Sequence, residues 1–456
     1  MLQIINPAHG GVIAEMSEDT HDSVIAKYRA ARAAQPRWAA TPISERLAAI
    51  GRFRQGIVDH LERLAAILTS EVGKPIRQSR NELNGLLGRI DFFLAQAEAT
   101  LAPRQVFDDA GMREVISHEP LGVIANISAW NYPYFVGSNV FVPALLAGNA
   151  VLYKPSEYAT LTGLEIGKLL HASGIPQDVF SVLVGGGRVG IELLKEPVDG
   201  VFFTGSYPTG ARIAQAVASR MIKVQLELGG KDPTYVCEDA DPAAAAASLA
   251  DGAMYNTGQS CCSVERIYVQ RAIFDDFVAA FVKEVQGFKV GEPTDESSYI
   301  GPLTRAAQVK TLQMQVADAQ AKGAKVLTGG HALNLPGGHW FAPTVLVNVN
   351  HDMAVMREES FGPIIGIQAV ADDAEAVRLM NDTDYGLTAG VYTRDEARAR
   401  AILSQVRSGS VYWNCCDRVS PRLPWSGVGH SGVGLTLSTE GISAFTRPKA
   451  WHLRSA

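Results

Sequence analysis

The spacing of apolar residues predicts one long amphipathic helix near the beginning of the chain. Between residues 43 and 70, apolar side chains recur every three or four positions. Residues with this spacing share one face of an α-helix and form a stripe that packs against a core. The stripe consists of Leu47, Ile50, Phe53, Ile57, Leu61, Leu64 and Leu68.

Short apolar runs alternate with helical patterns in the next part of the chain. Residues 123–127, 150–153 and 201–203 are three such runs, and each is followed by polar, Gly or Pro residues and then by a helical pattern. This alternation is typical of βαβ units, which form a parallel sheet with helices on both faces. Ligands bind such sheets at the carboxyl ends of the strands.

A second α/β block is predicted to begin near Gly229. Asp241 and Pro242 precede a run of alanines, which is the pattern of an N-cap followed by the first helical position. This helix would run towards Gly258, and residues 266–269 would form the next strand.

The length of 456 residues exceeds what a single core usually reaches, about 250–300 residues. We therefore expect two or more domains that pack closely around a cleft. The chain after about residue 440 is predicted to be irregular.

The composition indicates a globular enzyme rather than a nucleic-acid binder. Hydrophobic residues make up 47% and charged residues 19% of the chain. With 41 Lys and Arg against 47 Asp and Glu, the formal net charge is −6, without the basic excess of a general nucleic-acid binder. Five cysteines, including two adjacent pairs, favour a reducing compartment over a disulfide framework.

Targeting segments are not predicted. The first residues lack the basic and apolar regions of a signal peptide. Apolar runs all fall short of the roughly 18 residues that a membrane helix needs. We expect a cytoplasmic protein with neither a membrane nor a nucleic-acid partner, and we predict no metal site.

Cys261 is the first candidate for chemistry. It lies in the polar run 256–262 (Asn-Thr-Gly-Gln-Ser-Cys-Cys), where a helical pattern ends. Backbone N–H groups freed at such an end can stabilise a thiolate, which is the nucleophilic form of cysteine. A free cysteine is more often a small buried apolar residue. The polar neighbours favour the nucleophile.

Glu227 and Asn131 could assist that nucleophile. Glu227 follows an apolar-alternating run at a predicted strand end, where a partly buried carboxylate could act as a general base. Asn131 follows a predicted buried strand, and its amide could form half of an oxyanion hole. The alternatives are a surface carboxylate on an edge strand and an ordinary turn residue.

Three stretches carry weaker signals for a nucleotide. Residues 203–210 read as a strand, a turn with Gly205 and Ser206, and a helix start that could hold a pyrophosphate. Lys154 and Glu157 follow another strand and could bind ribose hydroxyls. The stretch 359–363 offers Glu359 and Phe361 at a turn. Each stretch could also be an ordinary turn or a solvated charge. The residues named here are Gly205, Ser206, Lys154, Glu157, Glu359 and Phe361.

Taken together, these motifs resemble the NAD(P)-dependent aldehyde dehydrogenase superfamily, of the hydrolytic type that does not transfer an acyl group to CoA. The resemblance runs from about residue 6 to about residue 449, and the separation of Glu227 from Cys261 matches the family. The matching motifs are 130–133 (Trp-Asn-Tyr-Pro), 154–157 (Lys-Pro-Ser-Glu), 203–206 (Phe-Thr-Gly-Ser), 227–231 (Glu-Leu-Gly-Gly-Lys), 256–261 (Asn-Thr-Gly-Gln-Ser-Cys) and 359–363 (Glu-Ser-Phe-Gly-Pro).

The resemblance implies an α/β fold in three parts. A Rossmann-type NAD-binding domain would comprise residues 1–100 and 121–228, and an α/β catalytic domain residues 229–440. A small β arm for oligomerisation would comprise residues 101–120 and 441–456. A homodimer or homotetramer is therefore expected.

The resemblance also assigns the chemistry of aldehyde oxidation. Cys261, rather than Cys262, would attack the aldehyde, and Asn131 with the Cys261 N–H would hold the resulting oxyanion. Hydride would pass to the nicotinamide and leave a thioester. Glu227 would then activate the water that hydrolyses it. A CoA-acylating relative and a non-catalytic protein of the same fold are the alternative interpretations.

Cofactor contacts are implied in the same way. Lys154 and Glu157 would contact the adenosine ribose, Ser206 the pyrophosphate, Glu359 the nicotinamide ribose and Phe361 the nicotinamide ring. Because Glu157 would repel a 2′-phosphate, NAD is favoured and NADP stays possible. Further cofactor contacts are expected at Ile127, Trp130, Gly187, Gly205 and Leu228.

The substrate is the least determined part. The resemblance places the substrate funnel around Cys261, near residues 132–139 and in the loop 413–425. Tyr132, Trp413 and Trp425 could form an aromatic wall there for an apolar or aromatic aldehyde. The rival hypothesis is a semialdehyde whose carboxylate binds Arg418 and Arg422, although both could be solvated loop arginines. A reversible disulfide between the adjacent cysteines Cys261 and Cys262 is a further hypothesis, with simple packing of Cys262 as the alternative.

Overall fold

The structure is a computed structural model that describes residues 1–109, 111–335 and 337–455. Two large β-sheets and their helices make up most of these residues. The strands are β1 (Leu2–Ile5), β2 (Val12–Met16), β3 (Arg104–Asp109), β4 (Met112–Pro120), β5 (Val123–Ile127), β6 (Ala150–Lys154), β7 (Phe180–Val182), β8 (Gly200–Thr204), β9 (Lys223–Glu227), β10 (Asp232–Val236), β11 (Val264–Gln270), β12 (Lys325–Thr328), β13 (Thr344–Val347), β14 (Ile364–Val370), β15 (Thr388–Tyr392), β16 (Ser410–Trp413), β17 (Gly432–Val433) and β18 (Thr446–Arg454).

The helices surround these sheets. They are α1 (His21–Ala40), α2 (Ile43–Asp59), α3 (Leu61–Val72), α4 (Ile76–Leu101), α5 (Pro133–Leu146), α6 (Thr160–Ala172), α7 (Gly187–Lys195), α8 (Tyr207–Val217), α9 (Pro242–Met254), α10 (Phe274–Gly287), α11 (Ala306–Ala321), α12 (Ala354–Arg357), α13 (Asp373–Met380), α14 (Glu396–Leu403) and α15 (Ser438–Ser443).

The first large sheet has the strand order β17-β9-β8-β5-β6-β7. The predicted strands at 123–127, 150–153 and 201–203 are confirmed as β5, β6 and β8, which pair in parallel. Ile127 pairs with both Lys154 and Phe203, while Thr204 pairs with Glu227. The carboxyl ends of four parallel strands therefore lie side by side at one edge.

The second large sheet has the order β12-β13-β14-β11-β10-β15-β16, and all of its neighbours except β12 and β13 are parallel. Its first helix, α9, begins as predicted. The Asp241 side chain caps it by accepting hydrogen bonds from the N–H groups of Ala243 and Ala244. The strand predicted at 266–269 is confirmed as part of β11.

The single helix predicted over 43–70 is wrong in one respect. The segment forms two helices, α2 and α3, because His60 leaves the helical conformation with φ −120° and ψ 16°. The apolar stripe nevertheless continues across the break. Ile50, Phe53, Ile57 and Leu64 are all buried in one core, since both helices pack on the same surface. Periodicity alone could not reveal a break that leaves the packing face unchanged.

The irregular end that the residues alone predict after residue 440 is also wrong, whereas the small β arm that the resemblance implies for residues 101–120 and 441–456 is confirmed. Helix α15 is followed by β18, which pairs antiparallel with β4 along its whole length, and β3 completes a three-stranded sheet. After Thr446, every residue of β18 is exposed, so the strand lacks the alternation of apolar residues that a half-buried strand shows. Its partner strand also lies more than 300 residues earlier in the chain.

Strand β17 differs from the predicted division of the chain. Gly432 and Val433 pair antiparallel with Glu227 and Leu226, so they join the first sheet rather than the second. Within the described residues, no helix has the length and apolar character needed to cross a membrane.

Candidate active site

A cavity of about 660 Å³ lies where the carboxyl ends of the first sheet face the loop that leads into β11. Cys261 and Glu227 both line it, together with Cys262, Tyr132 and Trp425. We call it the Cys261 cavity. The thiol and the carboxylate that the sequence marks for chemistry therefore line one cavity, although Glu227 ends a strand of the first sheet and Cys261 lies in the loop before β11 of the second.

A tight reversal of the backbone brings Cys261 to this cavity. Helix α9 ends at Met254, and Asn256 and Thr257 then adopt left-handed conformations with φ 54° and 60°. Gly258 follows with φ 67°, and a Cβ there would lie 2.2 Å from the carbonyl oxygen of Gly362. Only glycine fits so close to another backbone. The strained loop thus directs Cys261 away from the helix that precedes it.

Asn131 lies against the same loop. Its side-chain amide donates to the carbonyl of Gln259 at 3.1 Å, and Asn256 donates to the carbonyl of Asn131 at 3.2 Å. Asn131 is 4% exposed and is not among the residues that line the Cys261 cavity. The structure thus brings this amide to the loop that carries the thiol.

Glu227 is the last residue of β9 and is only 3% exposed. Thr204 donates to its Oε2 atom at 3.3 Å. Burial raises the pKa of Glu227 to about 7, against the opposing effect of the Arg89 charge. A carboxylate with such a pKa can accept a proton near neutrality and release it again.

Cys262 differs sharply from its neighbour. Its thiol donates to the carboxylate of Asp417 at 3.0 Å. A hydrogen bond with Cys261, together with burial, raises the pKa of Cys262 well above the ordinary value. Burial also raises the pKa of Asp417 to about 7. Cys262 is therefore held as a thiol, and both adjacent cysteines are free rather than joined in a disulfide.

The predicted aromatic wall is only partly present. Tyr132 and Trp425 line the Cys261 cavity, but Trp413 does not. Trp413 is 39% exposed, and its indole Nε1 donates to the carbonyl of Thr393 at 3.0 Å. As the last residue of β16, Trp413 lies beside the end of β15, so its inclusion in the wall was wrong.

Arginines from two segments of the chain, α4 and the loop after β16, line the Cys261 cavity. Arg418 and Arg422 line it, as the rival hypothesis requires, and both are exposed. Arg89 also lines it and is 6% exposed. Sequence analysis missed Arg89 and the face of α4 that carries it. The available signal was a helical spacing of polar residues and glycines, namely Asn81, Glu82, Asn84, Gly85, Gly88 and Arg89.

A second cavity, of about 930 Å³, lies at the carboxyl ends of β5, β6 and β8. We call it the Ser206 cavity, because Ser206, the N-cap of α8, lines it. A Cβ at Gly187 would meet nothing within 4 Å, which leaves open space beside the backbone. The predicted cofactor residues that line the cavity are Ile127, Trp130, Lys154, Glu157, Gly187, Gly205 and Ser206.

Three predicted cofactor residues do not line the Ser206 cavity. Leu228 packs against Gly210. Glu359 accepts a hydrogen bond from the Gly230 N–H at 3.1 Å, and burial raises its pKa to about 8. The ring of Phe361 meets that of Trp130 edge-on, with 5.6 Å between centroids. Phe361 therefore contacts Trp130, which lines the cavity. The Glu359 carboxylate instead lies against the backbone of Gly229 and Gly230.

The charge of the Ser206 cavity suits a phosphate-bearing ligand. Its lining includes five basic side chains and the carboxylate of Glu157. The N-terminus of α8 adds the positive end of a helix dipole. This basic lining was not predicted beyond Lys154. Its members are Lys154, Lys195, Arg212, Arg220 and Arg305.

Known proteins with similar sequences support a single family. A model of the aldehyde dehydrogenase family matches residues 1–451. A 3,6-anhydro-alpha-L-galactose dehydrogenase of Streptomyces coelicolor is 37% identical over 100% of this chain and 93% of its own length. A candidate NADP-dependent succinate-semialdehyde dehydrogenase of Mycolicibacterium smegmatis is 36% identical over 94% of this chain and 84% of its own length.

Solved structures agree with these sequences. An NADP-dependent enzyme of Escherichia coli superposes with a TM-score of 0.97 at 31% identity, covering 100% of this chain and 95% of its own. A 3,6-anhydro-L-galactose dehydrogenase in complex with NAP gives a TM-score of 0.95 at 34% identity, covering 99% and 96%. The chain belongs to the aldehyde dehydrogenase family and oxidises an aldehyde with NAD(P) as its cofactor.

Proposed function

We propose that this enzyme oxidises its aldehyde through a covalent bond to Cys261 and releases the product as a free acid with the help of Glu227. The observation that carries the proposal is that Cys261 and Glu227 line one cavity, where burial raises the pKa of Glu227 to about 7. A nucleophile and a base that titrates near neutrality are the two groups that this chemistry needs.

The first half of the reaction forms a thioester. The Cys261 thiolate adds to the carbonyl carbon, and the carbonyl electron pair becomes an alkoxide. Asn131 is proposed to stabilise that alkoxide together with the Cys261 N–H, because its amide is packed against the Cys261 loop. When the alkoxide collapses, the C–H bond breaks with its electron pair. Bound NAD(P) supplies the hydride acceptor.

The second half releases the acid. A water oxygen attacks the thioester carbonyl while Glu227 accepts the proton of that water. The C–S bond then breaks, which regenerates the Cys261 thiolate and gives the carboxylic acid. Thr204 holds one oxygen of Glu227 by its hydrogen bond of 3.3 Å, which orients the carboxylate.

The Ser206 cavity is the proposed cofactor site. It offers Lys154 and Glu157 to a ribose, Ser206 and the α8 N-terminus to a pyrophosphate, and open space at Gly187. Phe361 and Glu359 are proposed to act at the nicotinamide end. For Glu359 this requires a movement away from Gly230, to which it is hydrogen-bonded.

Mass spectrometry can test the covalent half of the proposal. The Glu227→Gln variant, mixed with NAD and an aldehyde, should accumulate an acyl group on the peptide that contains Cys261. A Glu227→Gln, Cys261→Ser double variant is the control and should carry none. An acyl group on Cys262 instead, or wild-type product that appears only as a CoA ester when CoA is added, would contradict the proposal.

We also propose that the three-stranded sheet of β3, β4 and β18 joins subunits into a homodimer or homotetramer. Large apolar side chains are exposed on it, including Val106, Phe107 and Trp451. Exposed apolar residues grouped on one sheet are typical of an interface. Light scattering should give a mass two or four times that of one chain, and a monomer would exclude the proposal.

A further inference from the structure

Arg89 is a buried charge that the proposed chemistry does not use. It lies on α4, is 6% exposed and lines the Cys261 cavity. Its Nη1 donates to the side-chain oxygen of Asn139 at 3.0 Å, and its guanidinium stacks on the ring of Phe135 at 3.8 Å. Within the described residues, Arg89 forms no ion pair.

A buried guanidinium without an anionic partner is unfavourable, because one hydrogen bond and one aromatic contact replace only part of its lost hydration. Burial lowers the pKa of Arg89 only to about 10, so the group remains charged at neutral pH. It has five N–H donors, and only one is used by a recorded hydrogen bond. The structure therefore presents unused donors and a positive charge to the cavity.

The acidic side chains of the cavity are engaged elsewhere. Glu82 pairs with the fully buried Lys74 and accepts a hydrogen bond from the Tyr134 N–H. Asp417 accepts from Cys262, and Asp251 accepts from a tyrosine hydroxyl. Glu227 is the only other cavity carboxylate in the described chain.

The face of α4 leaves room next to Arg89. Gly88 immediately precedes it, and a Cβ at Gly88 would meet nothing within 4 Å. Gly85 lies one turn earlier, and a Cβ there would lie 2.8 Å from the ring of Phe135. Glycine is a poor helix former. Two glycines on one wall of α4 therefore keep Phe135 in place beneath the guanidinium and the space in front of it open.

We propose that Arg89 binds a carboxylate carried by the substrate, so that the preferred aldehyde is an anionic semialdehyde. This inference rests on the proposed function, because it takes Cys261 as the point where the aldehyde end reacts. The amide of Asn139 lines the cavity beside Arg89 and can add a second donor to the carboxylate. Arg418 and Arg422 are exposed, and an exposed ion pair contributes little.

The competing role for Arg89 is that of a counter-charge to Glu227 alone. The two roles predict different effects of the substrate's charge on the kinetics of an Arg89 variant. A counter-charge would affect every aldehyde equally, because Glu227 acts on the thioester of each. A carboxylate receptor would affect only substrates that carry the carboxylate.

A matched pair of aldehydes separates these roles. Succinate semialdehyde and its methyl ester have the same carbon backbone and differ in charge at the far end. In the Arg89→Met variant, kcat/KM for succinate semialdehyde should fall by about 100-fold, mainly through KM, while that for the methyl ester changes less than about threefold. Arg89→Lys should recover part of the loss. Arg77→Met, an exposed arginine on α4 outside the cavity, is the control and should change neither.

Each other result counts against the inference. Equal losses on both aldehydes in Arg89→Met would assign Arg89 to Glu227. A selective loss in the Arg418→Ala, Arg422→Ala double variant, with none in Arg89→Met, would move the receptor to the exposed loop. Wild-type enzyme that forms acid from the methyl ester without preferring succinate semialdehyde would overturn the inference and leave the proposed function intact. Absence of acid from both aldehydes would instead count against the proposed function.

Discussion

The Ser206 cavity and the Cys261 cavity are walled by different kinds of structure. The Ser206 cavity is formed by the ends of β5, β6 and β8, by the helices α7 and α8 that follow strands of the same sheet, and by Arg305. The Cys261 cavity contains one strand end of that sheet, at Glu227, and takes the rest of its wall from α4, α5, α9, the loop before β11 and the loop after β16. One cavity follows mainly from sheet topology, and the other is assembled mainly from side chains of distant segments.

This difference separates what is common to a family from what distinguishes its members. Turns at strand ends bind a nucleotide largely through backbone groups, so the fold itself determines them. A helix face such as that of α4 can change its side chains without changing the fold. We therefore expect residues of the Ser206 cavity to govern the cofactor, and residues such as Arg89 to govern the substrate.

The strongest test of the comparison is at Cys261. Cys261→Ala should lower kcat by about 10⁴-fold or more, because the adjacent Cys262 is held as a thiol by its hydrogen bond to Asp417 and is a poor replacement nucleophile. NAD(P) binding, measured by the quenching of tryptophan fluorescence, should be retained, since the Ser206 cavity is separate. Cys262→Ser is the matched control. It should keep activity within about tenfold, because the hydroxyl can still donate to Asp417. Loss of cofactor binding in Cys261→Ala would mean that the two cavities are not independent.

Glu227→Gln should produce the next largest effect. Steady-state turnover should fall by about 10²–10⁴-fold, because the amide cannot accept a proton from water. The first turnover should still give a burst of reduced cofactor at 340 nm. In the wild type, deacylation requires deprotonated Glu227, so its rate should rise with pH through about 7 and be lost below it. A variant that keeps this pH limb would show that another group is the base.

The residues that line the two cavities could be predicted from the sequence to different extents, for a physical reason. Strand ends are marked locally, so Lys154, Glu157 and Ser206 could be found from short motifs that follow apolar runs. Cys261 and Glu227 could be found in the same way. Arg89 was missed, because the spacing of polar residues and glycines marks one face of α4 but does not show that this face meets a loop more than 150 residues later.

Errors in the fold have a similar origin. The pairing of β18 with β4 joins two segments more than 300 residues apart in the chain. Neither strand has the alternation of buried apolar and exposed polar residues from which a strand can be predicted. The resemblance assigns Trp413 to the substrate loop, but in the structure Trp413 is the last residue of strand β16. A hydrogen bond to Thr393 directs that ring elsewhere.

A smaller effect is expected in the Ser206 cavity, at Glu157. Glu157→Gln should raise kcat/KM for NADP relative to NAD by about tenfold, because it removes a negative charge that would repel a 2′-phosphate. The basic lining of the cavity remains to attract that phosphate. Kinetics with both cofactors on one aldehyde measure the ratio. An unchanged ratio would mean that Glu157 turns away from the ribose and that the basic residues alone set the preference.

The smallest effect separates the two tryptophans that were predicted to share one wall. Trp413→Ala should change kcat/KM by less than about twofold, because the ring is partly exposed and lies outside the Cys261 cavity. Trp425→Ala should have a larger effect on KM, since that ring is buried and lines the cavity. Thermal unfolding of both variants controls for lost packing. If Trp413→Ala instead weakened substrate binding more than Trp425→Ala, the loop after β16 would have to close inward over the substrate, and the open mouth of the cavity would belong only to the free enzyme.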